Sequence, residues 1–68
     1  MRDAQIIEQL KRDRTTIREI VPAMYADVDK RLHKAAALNV LAHLIRLVKI
    51  GTVKCDGDPW IETRYRLD

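Results

Sequence analysis

The apolar positions of residues 34–53, KAAALNVLAHLIRLVKIGTV, recur with a helical period. Wound at about 100° per residue, Ala36, Ala37, Leu38, Val40, Leu41, Leu44, Ile45, Leu47 and Val48 fill an arc of roughly 200°. Asn39, Ala42, His43, Arg46 and Lys49 occupy the remaining sector, with Ile50 near the end. A helix resting on one surface needs an apolar stripe of only about 100°. This helix is therefore expected to be covered on more than one side. Gly51 supplies a left-handed stop, and Arg46 and Lys49 sit where the helix dipole favours cations.

The flanking segments supply that cover. Residues 2–13 predict a first helix with a narrow stripe of Ile6, Ile7 and Leu10, and Asp3 near its N-terminus, where an anion is favoured. After an extended link at residues 14–16, Thr16 and Glu19 have the spacing of a capping box, so a second helix starts there. Ile17, Ile20, Val21 and Met24 form its core side, and Tyr25 closes it. Pro22 lies inside it and removes the hydrogen bond to the Arg18 carbonyl, at about 3 kcal/mol, which predicts a kink or a short, tilted helix. Residues 26–33 read as a polar connection anchored by Leu32.

Beyond Gly51 the period changes to two. Residues 52–55 alternate, with Val53 and Cys55 on one face; residues 56–59, DGDP, are a turn by composition. Residues 60–67 alternate again, placing Ile61, Tyr65 and Leu67 on one face and Trp60, Glu62, Arg64 and Arg66 on the other. The expected fold is mainly α with a small β-hairpin: a winged helix of three helices plus a wing, spanning residues 1–68 as one domain.

Composition narrows the function classes. Sixty-eight residues with 47% apolar and 34% charged content describe a small ordered domain rather than a disordered tail. The net charge of +3 permits a nucleic-acid partner without requiring one. His43 and Arg46 interrupt the longest apolar run, so no membrane span is expected. The first residues, MRDAQIIEQLK, lack the apolar stretch of a secretory signal. The single cysteine, Cys55, fits a reducing cytoplasm.

Catalytic and metal chemistry find little support in the sequence. His33 and His43 have no companions at metal-ligand spacing. Asp56 and Asp58 flank Gly57 without the further oxygen ligands of a calcium loop. Cys55 falls on the core side of its strand, as a buried small hydrophobe does. No glycine-rich phosphate loop is present. The chain alone is not expected to be an enzyme, to carry a catalytic residue, or to bind a metal or cofactor.

Nucleic acid is the sharper possibility. In a winged helix the third helix can enter a groove while the wing touches phosphate. The candidates are Asn39, His43, Arg46 and Lys49 on the helix and Lys54, Trp60, Arg64 and Arg66 on the wing. The polar face is narrow, and the link between helices 2 and 3 exceeds the three or four residues of a helix-turn-helix. A solvated basic face is therefore expected, with weak backbone contact at most rather than sequence reading. Trp60 either folds over the hairpin or offers a partner contact or stacking platform. Leu38, Ile45 and Val48, at the margin of the apolar arc, are candidates for a partner interface unless Val28 and Leu32 fold over them.

Several runs together carry a family resemblance: residues 24–27 (MYAD), 32–36 (LHKAA) and 39–44 (NVLAHL), then Leu47 and residues 51–53 (GTV). They resemble the winged-helix domain that follows the catalytic domain in metallo-β-lactamase-fold hydrolases of the β-lactamase-like protein 2 type. Pro22 departs from that pattern, as do Ile45, Val48 and Ile50 at positions commonly polar there. The resemblance implies a cytoplasmic C-terminal accessory domain that packs on a metal-dependent catalytic domain. That domain would precede Arg2 and hold zinc through a His-x-His-x-Asp-His cluster, none of which matches a position here. It further implies help in positioning a substrate, single-stranded RNA in some members, by weak contact to RNA or DNA. The alternatives are a free-standing nucleic-acid-binding winged helix and a module that dimerises through its apolar edge.

Overall fold

The computed structural model describes residues 2–67. Three helices precede a two-stranded antiparallel wing: α1 (Arg2–Lys11), α2 (Ile17–Met24), α3 (His33–Lys49), β1 (Val53–Cys55) and β2 (Tyr65–Leu67). A 3₁₀ turn at Lys30–Leu32 leads into α3. The predicted fold class, mainly helical with a small hairpin, is the observed one.

Each boundary has a local cause. α1 ends at Lys11 rather than at the predicted Asp13. The Asp13 N–H donates to the Leu10 carbonyl and the Arg14 N–H to the Gln9 carbonyl, both at 3.1 Å. This paired closure requires a left-handed residue, and Asp13 supplies it with φ 65°. At α2 the capping box forms as predicted. The Glu19 N–H donates to Thr16 Oγ1 at 3.3 Å, and the Thr16 N–H donates to Glu19 Oε1 at 3.2 Å. Pro22 sits exposed within α2, which is short at eight residues.

The link from α2 to α3 is anchored differently from the sequence expectation. Leu32 is 57% exposed and anchors nothing. His33, which begins α3 one residue ahead of the predicted start, does so instead. Its Nε2 lies 3.1 Å from the Tyr25 carbonyl and 3.2 Å from the Val28 carbonyl. Carbonyl oxygens only accept, so Nε2 carries the proton. At the far end Gly51, with φ 86°, ends α3 by the same paired closure as at α1. Its N–H reaches the Val48 carbonyl and the Thr52 N–H the Leu47 carbonyl, each at 3.1 Å.

The wing is shorter than the alternation suggests. Residues 60–64, predicted as strand, form a turn and irregular chain, and only Tyr65–Leu67 pairs with β1, in the register Val53↔Leu67, Lys54↔Arg66 and Cys55↔Tyr65. The intervening residues satisfy their own polar groups. Thr63 Oγ1 donates to the Asp58 carbonyl at 2.8 Å and the Tyr65 hydroxyl to the Trp60 carbonyl at 2.7 Å. The other edge of β2 is not open: the Tyr65 N–H donates to the Thr15 carbonyl at 2.7 Å. The extended link between α1 and α2 thus lies beside the wing.

The core is built around α3, with Val40, Leu41, Leu44 and Leu47 buried against Ile6, Leu10, Ile17, Ile20 and Val21, and against Val53 and Tyr65 from the wing. Cover therefore comes from α1, α2 and the wing together, as the 200° arc requires. Ile45 and Val48 are half-buried and pack on this core, whereas Leu38 stays 54% exposed.

Candidate nucleic-acid interface

The cations predicted on α3 do not form an open reading face. Asp3, in the first turn of α1, accepts from His43 Nδ1 at 2.8 Å through one carboxylate oxygen. It pairs with the Arg46 guanidinium through the other. Both Asp3 and His43 are mostly shielded, with side chains 21% and 28% exposed. One carboxylate at the positive end of α1 therefore holds two of the four helix candidates. Asn39 and Lys49 remain exposed.

On the wing, Arg66 is tied to Asp56 at 2.9 Å. Lys54 lies exposed on β1 beside it in register. Arg64 is exposed, and Trp60 is 60% exposed in the loop rather than on a strand face. Its backbone is pinned by the Tyr65 hydroxyl while its ring faces solvent. The Tyr65 hydroxyl is itself pushed above its ordinary ionisation range by burial. The eight candidates do not converge: Trp60 adjoins Ile61, which borders the start of α3 at Lys34, whereas Lys49 lies about four turns further along that helix.

The placement of three charged residues escaped the sequence reading. Asp3 was legible as a helix-dipole partner, but its pairing across forty residues leaves no periodic trace. Arg18 and Lys34 occupy the second positions of α2 and α3, where the dipole disfavours cations. That inversion was a readable signal. Among the described residues no group of three or more His, Cys, Asp or Glu side chains could hold a metal ion. No helix among them is long and apolar enough to cross a membrane.

Three helices closed by an antiparallel wing define a winged-helix domain, here with two residues of its α3 polar face, His43 and Arg46, paired with α1. The family described as the beta-lactamase associated winged helix domain matches residues 16–60, and the chain belongs to that family. The matched span runs from the α2 cap through α3 and β1 to the pinned Trp60. No solved structure matches the chain significantly.

Proposed function

We propose that this chain is the accessory domain of a metal-dependent hydrolase of the metallo-β-lactamase fold, packing on its catalytic domain. The family membership over residues 16–60 is the observation that carries this reading. A domain without catalytic residues of its own, named for its association with another, acts by docking. Leu38 is the large exposed apolar side chain within α3, and Ile45 and Val48 are half-buried two to three turns further along it. In this reading zinc belongs to the catalytic domain; among the described residues of this chain no group of three or more His, Cys, Asp or Glu could hold it.

Help with a nucleic-acid substrate would come from Asn39, Lys49, Arg64 and Trp60, exposed candidates outside the Asp3 and Asp56 pairs. Such contact is weak and indifferent to sequence, with dissociation constants of roughly 10⁻⁴ M or weaker near physiological salt. The alternative, a free-standing winged helix that reads a duplex, is disfavoured because His43 and Arg46 are held by Asp3.

The test is association in trans with the catalytic domain encoded upstream of Arg2, followed by calorimetry. Leu38→Lys should leave the melting curve of this chain nearly unchanged and weaken the complex. An absent upstream His-x-His-x-Asp-His cluster, or submicromolar binding to one duplex and not to its scrambled counterpart, would replace this reading with the regulator.

A further inference from the structure

A groove of about 300 Å³ opens between α2, the start of α3 and the wing loop. Ile17, Val21, Pro22, Ala37 and Ile61 give it an apolar floor, and Arg18, His33 and Lys34 stand at its border. No acidic side chain lines it; Glu62 borders the adjoining hollow beside Arg18. It does not overlap the candidates discussed above.

Three features of the groove are unfavourable for the fold alone. Arg18 and Lys34 are exposed and make no ion pair or side-chain hydrogen bond among the described residues. Each stands at the second position of a helix, where its charge opposes the dipole. The first turn of α3 holds no acid, and its N-cap, Leu32, offers no side-chain cap. Pro22 costs α2 a backbone hydrogen bond and leaves the Arg18 carbonyl without its helical donor at the groove wall. Local rules broken together at one place point to a site.

We propose that this groove seats an extended segment of another polypeptide, with an apolar side chain on the floor and neighbouring acidic residues against Arg18 and Lys34. Two unpaired like charges at one rim, with no acid among the lining residues, call for a carboxylate-bearing partner. The floor favours an apolar side chain over a nucleic-acid base: it is aliphatic, and the aromatic ring at its border, the His33 imidazole, is already engaged with the Tyr25 and Val28 carbonyls. A groove of about 300 Å³ open to solvent suits one or two aliphatic side chains rather than an enclosed small molecule. This inference does not depend on the hydrolase reading, since the segment is bound by this chain alone.

The experiment is a titration of the isotope-labelled chain, followed by amide chemical shifts. The probes are the peptide acetyl-Glu-Leu-Leu-Asp-Glu-amide, its counterpart with lysine at every acidic position, and hexauridylate. The acidic peptide at millimolar concentration should shift the amides of Val21, His33, Lys34, Ala37 and Ile61. The double variant Arg18→Glu/Lys34→Glu should weaken that binding by about tenfold or more. Both substitutions place an acid where the helix dipole favours one, so the fold is retained and its unshifted spectrum elsewhere verifies this. Absence of localised shifts, equal shifts with the lysine peptide, undiminished binding by the double variant, or preference of the groove for hexauridylate would each overturn the proposal.

Discussion

The Asp3 carboxylate and the His43 imidazole, forty residues apart in sequence, meet at 2.8 Å and join α1 to α3. Asp3→Ala removes this contact together with the Arg46 pair. Because Arg46 is 60% exposed, its share is small, and the loss should be about 1 kcal/mol, mostly from His43. A double-mutant cycle with His43→Ala, read by chemical denaturation, should return a coupling of about 0.5–1 kcal/mol. Additive single variants would mean the two groups do not cooperate in holding the helices.

Leu44 is fully buried at the middle of the α3 arc, between α1, α2 and the wing. Leu44→Ala should cost about 2–5 kcal/mol, a large fraction of the stability of so small a domain. Thermal unfolding checks it: the midpoint should drop by more than about 10 °C or the transition should vanish.

Asp13 offers the opposite sign. It holds a left-handed backbone at the end of α1 with φ 65°, and its side chain makes no contact that the fold needs. Asp13→Gly should stabilise by about 0.5–1 kcal/mol, since glycine adopts that conformation without a Cβ clash. A midpoint raised by a few degrees is the expected result, and a lowered one would show that the aspartate side chain contributes something else.

Glu19 ties the fold to pH. Hydrogen bonds from the Thr15 backbone first, then from the Thr16 hydroxyl and backbone, hold its carboxyl below the ordinary value of 4.5. A lowered folded-state pKa means that its contribution is complete above the unfolded value. That contribution is lost as the pH falls through the folded value. Denaturation between pH 6 and about pH 2 should show a declining acid limb that Glu19→Gln flattens. The limb should not change if the capping box is only a surface ornament.

What the sequence revealed depended on the range of the interaction. The α2 start was legible because Thr16 and Glu19 are three residues apart, and the α3 arc because its period repeats over many turns. The left-handed stop at Gly51 was legible because glycine is the usual residue there. Asp13 performs the same closure at α1, but its residue type also suits a helix surface, so the end of α1 was read too late. The strand at residues 60–67 was overread: alternation continues through residues that β1, only three residues long, cannot pair. Leu32 was misjudged because hydrophobicity alone does not say whether the chain turns a side chain inward. The turn there is fixed by His33 reaching back to two carbonyls. Nothing in the pattern of cations could show that Asp3 would pair with both His43 and Arg46.

The hydrogen bond between Tyr65 and Thr15 has a consequence for how the molecule comes into being. Tyr65 is among the largest fully buried side chains, yet it follows all three helices in the chain and must reach back fifty residues to the α1–α2 link. A nascent chain that has made all three helices still lacks this plug, and the floor of its core remains open to water. Closure is therefore delayed until β2 is available, and the early helices are held by partial contacts only. Ribosome-released fragments ending before Tyr65 should behave as loose helical ensembles, and the wing functions as the latch that converts them into a single folded state.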